Sequence, residues 1–354
     1  MNEREQRVAQ LREQGYLVVP AFVEPHAHLD KAFLAERVPN PTGDLMGAIL
    51  AMEAAHASIT FDDIVTRAER AARLMVANGV TAIRTHADVT ASNGLTSARA
   101  LIDVRDRLRA LVDIQVVALA DHPITGVAGS DHRALLRESI ALGIDVVGGC
   151  PHLDNDPAGA NDTFLAIADE AQLPVDLHTD ETLDPSRFAL EHLAQRVIES
   201  GFPLGVTASH CVSLAMQSLA TQQRVAELVA RAGIGVIALP QTNLFLQGRD
   251  HQQAMPRAVT AIAALRCAGV RVGAGGDNLQ DPFNPVGRAD PLETAALMVV
   301  AGHLLPDDAL ASVSTVSRSI LGLPDGDLVA IRADSVREAI AFATADRVVL
   351  RSAR

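Results

Sequence analysis

Short apolar runs rich in β-branched residues recur along this chain. After a long first gap they begin roughly thirty residues apart, the length of one strand–helix unit. They lie near residues 17–23, 81–88, 113–120, 144–150, 174–180, 205–211, 234–240 and 270–276. The stretches between them have helical periodicity, as in Ile64-Val65 through Leu74-Met75-Val76 and in Val225 through Val229. Several of these helices end in glycine just before the next run: Asn78-Gly79, Leu142-Gly143, Ser200-Gly201, Ala232-Gly233 and Ala268-Gly269. Glycine accepts the left-handed conformation that closes a helix, so the punctuation reads helix, glycine, strand. Eight such units predict an α/β fold of the (β/α)8 TIM barrel type, whose working side chains sit at the carboxyl ends of the strands. An open doubly wound sheet would carry a glycine-rich turn after its first strand. Histidine and aspartate stand there instead, so a barrel is expected.

The strand ends carry the chemistry. Pro25-His26-Ala27-His28 closes the first run, and alternate residues of a strand share a face, so both imidazoles aim at one point. Asp176-Leu177-His178-Thr179-Asp180-Glu181, Ala208-Ser209-His210 and Gly275-Gly276-Asp277-Asn278 close three others. His26, His28, His178 and Asp277 offer three imidazoles and a carboxylate, a set that holds one divalent metal, Zn2+ or Fe2+, with a position left for water. A structural metal would usually be closed off by cysteines. Glu181 stands beyond the ligand strand, where it can reach substrate and shuttle a proton. His210 is either a further ligand or a base that orients the water. His86 and His152 follow the second and fourth runs and are candidate substrate contacts, with simple packing as the alternative. Lys31, next to Asp30, is expected to neutralise a carboxylate and is given no catalytic role.

The formal net charge of −13 provides no basic surface for nucleic acid or an anionic membrane. No apolar run approaches the roughly 18 residues of a membrane span, and Met1 to Gln14 is polar with no signal-peptide core. Cys150, Cys211 and Cys267 lie far apart without CxxC spacing, as buried hydrophobes in a reducing compartment do. A cytoplasmic enzyme acting on small molecules is expected. With no Trp and one Tyr, its core must come from Ala, Val, Leu and Ile.

Across roughly Leu17 to Leu323 the chain resembles the amidohydrolase superfamily, and within it the cytosine deaminase group. The resemblance is carried by Phe22-Val23-Glu24-Pro25-His26-Ala27-His28-Leu29-Asp30, Arg84-Thr85-His86-Ala87-Asp88, Pro151-His152, the His178 and His210 motifs, Leu246-Gln247-Gly248-Arg249 and Asp281-Pro282. It implies a mononuclear metal site, because Cys150-Pro151 stands where dinuclear relatives carry a bridging lysine. It also implies hydrolytic deamination of a cyclic amidine-like carbon by metal-bound hydroxide, with release of ammonia. Asp277 and His210 would deprotonate and orient the water, and Glu181 would protonate the ring nitrogen and the departing amine. Gln247 enters the substrate-binding set through its motif. Three positions depart from the group. Asp121 stands for a pyrimidine-binding glutamine, Asn278 for an aspartate and Phe283 for a tryptophan. An acid at 121 accepts hydrogen bonds only, which favours a substrate rich in N–H donors over cytosine itself.

The expected organisation is an N-terminal helix or reduced appendage over 1–16, the barrel over 17–323 and a C-terminal β appendage over 324–354. Asp327-Leu328-Val329-Ala330-Ile331 and Arg347-Val348-Val349-Leu350 supply most of that small β unit, or simply pair with each other. Relatives place more strands before the HxH motif, so exposed edges here would need the N-terminal helix or a homo-oligomer to cover them. Two alternatives remain beside deamination. One is cleavage of a cyclic or linear amide on the same scaffold, and the other is non-catalytic binding of a small molecule or metal.

Overall fold

In a computed structural model, which describes residues 3–352, eight parallel strands run in chain order around a barrel with helices outside. The strands are β1 (Tyr16–Pro20), β2 (Phe22–Ala27), β3 (Val80–Val89), β4 (Asp113–Ala120), β5 (Val146–Gly149), β6 (Val175–Thr179), β7 (Val206–His210), β8 (Gly235–Ala238), β9 (Val272–Ala274), β10 (Leu328–Arg332) and β11 (Arg347–Leu350). β2 to β9 make the barrel, in the (β/α)8 arrangement expected, and β1, β10 and β11 make a separate antiparallel sheet. The barrel closes through one parallel bridge between Ala27 and Asp277. There the Asp277 N–H donates to His26 O at 3.0 Å and the His28 N–H to Asp277 O at 3.2 Å.

The first apolar run is two strands, not one. Leu17 and Val19 lie opposite Ile331 and Val329 in the small sheet, and only Phe22 onward enters the barrel. Pro20 has no N–H to continue a ladder, and the Ala21 N–H turns away to Asp327 O at 3.0 Å. β1 therefore pairs with β10, whose other edge pairs with β11, giving the order β1-β10-β11. The long first gap also has a cause. Before the barrel helix Phe61–Ala77 comes an extra helix, Leu45–Ala55, which reaches the mouth of the barrel.

Phe61–Ala77 shows how the sequence builds the outer ring. The Thr60 hydroxyl caps the Asp63 N–H, Asp62 and Asp63 suit the positive end of the helix dipole, and Ile64, Val65, Ala68, Ala71, Ala72 and Met75 face the core. The chain leaves the helix through Gly79 at φ +92°, where a side chain would press on Val329 and Phe22. That close approach seats the small sheet against the closed end of the barrel. No helix among the described residues is long and apolar enough to cross a membrane.

Between β5 and the helix Pro157–Ala171, Gly149 leaves room for the buried ring of Phe164, which a Cβ at that position would strike. Gly149→Ala should therefore destabilise the protein by about 1–3 kcal/mol through overpacking. Denaturant unfolding measures this, and an unchanged midpoint would show that Phe164 can move aside.

Candidate active site

The catalytic candidates converge at the open end of the barrel. His26 and His28 come from the end of β2, His178 from β6, His210 from β7 and Asp277 from just beyond β9. All five are buried. His210 and Asp277 have φ of +69° and +61°, conformations that non-glycine residues seldom adopt. Hydrogen bonds hold both in place: the Asp277 N–H bonds His26 O in β2, and the adjacent Cys211 N–H bonds Thr179 O at 2.8 Å. Such strain is typical of residues held for a task.

Nε2 of His26 and Nε2 of His28 each lie 3.2 Å from Nε2 of His178. Asp277 Oδ1 is 3.5 Å from His26 Nε2 and 3.2 Å from His28 Nε2. Donors about 2.1 Å from one ion at near-tetrahedral angles would stand about 3.4 Å apart, so this set fits one divalent metal. The protonation states agree. Burial, reinforced by the neighbouring imidazoles, holds His26 and His178 well below the usual imidazole range, so their lone pairs are free. Burial pushes the Asp277 carboxyl up, but the facing His28 and His210 outweigh it and hold the group low. Among the described residues, neither Asp277 oxygen has a well-formed hydrogen bond. A buried carboxylate without donors is costly, and a cation at that point removes the cost.

Groups behind the ligands orient them. Ser209 Oγ donates to Asp176 Oδ1 at 2.9 Å, and Arg84 donates to the other oxygen of Asp176 at 2.9 Å. Ser209 therefore accepts from Nδ1 of His26, 2.9 Å away, which turns the bare Nε2 inward. Lys31 is more deeply involved than its sequence position suggests: Nζ lies 2.6 Å from Asp88 Oδ1 and 3.2 Å from His28 Nδ1, on the cleft wall. Two further residues escaped the sequence reading. Glu24 is buried, with its carboxylate accepting the Gly276 N–H at 3.0 Å and the His26 N–H at 3.3 Å, which ties β2 to the segment after β9. Its signal was parity, because residues 24, 26 and 28 share one strand face. Asn243, on the short helix after β8, takes the His210 Nδ1 proton at 3.0 Å, and no motif announces it.

Glu181 is buried, and burial, then the Asp277 charge, raises its carboxyl well above the usual range. It is a neutral acid, 3.4 Å from His210 Nδ1. Two triads have donor atoms close enough to share an ion, His26 with His86 and His178, and His26 with His28 and Asp277, and His210 Nε2 is buried with no partner among the described residues.

Above these groups opens a cleft of about 790 Å³ counted out to solvent. Asp121, Asn278 and Phe283 line it as expected, opposite Leu45, Ile49 and Met52 of the extra helix. Asp121 Oδ1 accepts the His122 N–H at 2.8 Å, and His122 and His132 flank the carboxylate at 3.5 and 3.8 Å. The other expected substrate contacts fall elsewhere. His86 lies beneath the cluster, fully buried, with its ring 4.0 Å from that of His26. His152 and Gln247 line a neighbouring groove.

Comparison with known proteins gives the same picture. Residues 14–330 match the amidohydrolase family. A pterin deaminase of Rhizobium rhizogenes is 36% identical over 354 aligned residues, covering 96% of this chain and 80% of the relative. An N-isopropylammelide isopropyl amidohydrolase of Pseudomonas is 26% identical over 291 residues, covering 80% of this chain and 68% of the relative. The crystal structure of 5-methylcytosine deaminase from Klebsiella pneumoniae, liganded with 5-fluorocytosine, superposes with a TM-score of 0.85 at 32% identity, covering 93% of this chain and 83% of that one.

The site sets how the metal-free protein responds to pH. His26, His86, His152 and His178 stay neutral in the fold, whereas in the unfolded chain they take protons below about pH 6.5. Their contribution to stability is present above that pH and is lost as pH falls through it. Glu24 acts oppositely. Burial pushes its carboxyl up to about 8, so its contribution is full at low pH and gone once pH rises past that value. Asp180, Glu181 and Asp281 are also held up by burial, Asp180 to about 7 and Asp281 to about 6, and act as Glu24 does. Above about pH 6.5 the histidines are neutral in both states while Glu24 and Glu181 still favour the protonated fold, so the melting temperature should fall as pH rises from about 6.5 to about 8. A melting temperature that climbs over that interval would contradict the buried carboxyls. In a second test, His178→Ala should abolish tight metal binding, read as metal content per chain.

Proposed function

The chain belongs to the amidohydrolase family, and on that premise we propose that it is a metal-dependent hydrolytic deaminase of a small nitrogen heterocycle. The observation that carries this reading is Glu181, a neutral carboxyl group facing Asp277 and His210 on the floor of a cleft. Zinc or ferrous iron, held by His26, His28, His178 and Asp277, would supply a Lewis acid that makes water reactive at neutral pH.

The remaining chemistry falls to side chains. His210 commits Nδ1 to Asn243, so its Nε2 is a bare acceptor. Burial is the main cause of its lowered pKa, so it is uncharged and able to take a proton. With Asp277 it receives the proton of the attacking water. Glu181 donates its proton to the ring nitrogen beside the attacked carbon. As a carboxylate it then takes the proton left on the attacking oxygen and passes it to the exocyclic nitrogen, which leaves as ammonia. The first water proton, held by His210 and Asp277, restores Glu181. A raised carboxyl and a depressed one in the same cavity divide the acid and base work between them. Cleavage of a plain amide offers no ring nitrogen for Glu181 to protonate, so deamination is the better match.

Substrate choice rests on the outer cleft. Asp121 accepts N–H groups from the amidine edge, Phe283 and Met52 pack on the ring, and the Lys31 ammonium, 5.9 Å from the Phe283 ring centre, faces any ring carbonyl. A pterin meets these requirements better than cytosine, in keeping with the activity named for the 36% identical relative.

Ammonia release by metal-reconstituted protein across pterin, cytosine, isocytosine, creatinine and aminotriazines tests the reading. Pterin is expected to respond and chelation to abolish the response, while silence across the panel with metal bound would sink it. Glu181→Gln should keep its metal yet lose about 10²–10⁴-fold in kcat, and retained turnover would remove the shuttle. Asp121→Gln should shift preference toward cytosine with metal content unchanged, and an unaltered substrate profile would take Asp121 out of recognition.

A further inference from the structure

The chemistry described so far makes no use of His86. It stands on β3, fully buried, and lines neither the cleft nor the neighbouring groove. Both of its ring nitrogens lack a hydrogen-bond partner among the described residues. A neutral imidazole carries one N–H and one lone pair, so a donor and an acceptor are left unmet together. Buried polar atoms normally have partners, and leaving one without costs about 1–3 kcal/mol. A phenylalanine could fill the space beside His26 without that cost, so packing does not account for an imidazole here. Strand parity gives the ring its aim, because residues 84, 86 and 88 share one face of β3. That face turns into the barrel: Arg84 donates to Asp176 at 2.9 Å, and Asp88 accepts from Lys31 at 2.6 Å.

A ring nitrogen of His86, one of His26 and one of His178 all lie within 4.8 Å of one another. Donors about 2.1 Å from one ion stand about 3.0 Å apart at right angles and about 4.2 Å apart across it, so this triad spans one ion with at most a small contraction. The rings agree. The His86 centroid is 4.0 Å from that of His26, 4.7 Å from His178 and 5.4 Å from His28. The three histidines of the proposed set are separated from one another by 4.6, 5.2 and 5.4 Å, the same range. The other triad, His26 with His28 and Asp277, shares His26 with this one, and Nε2 of His178 lies 3.2 Å from Nε2 of both His26 and His28. The two triads therefore converge on one place. We infer that His86 is a fifth protein ligand of the same metal ion, reaching it from the barrel interior while the cleft side is left to water and substrate. Coordination gives its lone-pair nitrogen a partner and leaves one N–H unmet in place of two atoms. His210 belongs to neither triad and commits Nδ1 to Asn243. Five protein donors and a water make six, a number that ferrous iron takes more readily than zinc, which prefers four. The inference rests on the metal set proposed above and is independent of the reaction assigned to it.

The test loads the metal-free full chain with Co2+ and counts, by proton NMR, the imidazole rings whose signals the paramagnetic ion shifts. Visible absorption of the same sample reads the coordination number. The wild-type chain should show four coordinated imidazoles and the weak bands of five- or six-coordinate cobalt. His86→Phe should show three, with stronger bands, and should bind Co2+ at least about tenfold more weakly in competition with a chelator. His210→Gln should keep all four. If His86→Phe does not fold, four rings in both the wild type and His210→Gln still assign the fourth to His86. Three rings in the wild type, a count that His86→Phe leaves unchanged, or a loss of one ring in His210→Gln would overturn the inference and leave the deaminase reading standing. A wild-type chain that binds no cobalt would remove the metal set, and both readings with it.

Discussion

The barrel closes where the metal set is assembled. Seven of the eight strand seams are parallel ladders, with register shifts in the one between β2 and β3. The eighth, between β2 and β9, is reduced to the single bridge at Ala27 and Asp277. Its two backbone hydrogen bonds involve His26, His28 and Asp277, three of the four proposed ligands. Glu24 reinforces the seam with its side chain, accepting the N–H groups of Gly276 and His26. Closure and chemistry thus depend on the same few peptides. The seam is thin in hydrogen bonds, but the converging donors supply a further link once a cation joins them, because metal binding couples directly to stability. The positive φ of Asp277 follows: its backbone must bond β2 while its carboxylate turns inward.

Burial then decides the state of every group at that point. The same low-dielectric surroundings strip protons from the imidazoles and keep one on Glu181. Asp277 escapes the upward push only because His28 and His210 face it. Two carboxyl groups a few residues of packing apart are therefore held in opposite states without any cation beside Glu181. Lys31, the buried cation of the cleft, is engaged by Asp88 and Asp30 and leaves that difference intact.

Much of this was legible in the sequence because strand periodicity and helix-ending glycines are local signals. The barrel strands appear within a few residues of their expected places, and His26, His28, His178, Glu181, His210 and Asp277 meet as the barrel rule requires. Other features depend on packing between distant segments. Nothing near Pro20 says that Leu17 will pair with Ile331, because antiparallel pairing with the far end of the chain is decided by what β10 lacks. His86 has the strand-end position of a substrate contact, yet β3 is long enough to leave it below the rim, stacked on His26. Asn243 is reached only through the turn after β8, and the placement of His152 and Gln247 beside a neighbouring groove follows from loops whose course has no periodicity to read.

That division between strands and loops explains why a constant reaction can serve changing substrates. The water-activating groups stand on strand ends, held by barrel ladders and by Ser209, Asp176 and Arg84 behind them. A shift there would disturb both closure and metal binding, so the cost of change is high. The groups that line the outer cleft stand on the extra helix Leu45–Ala55, the turn at Asp121 and the segment around Phe283. These make few ladder contacts, and their replacement alters shape and hydrogen bonding without touching the seam. Asp121 stands on such a turn, its carboxylate steadied by the His122 N–H. A chain built this way can exchange one aminoheterocycle for another by changing loop residues while the β2–β9 seam remains as it is.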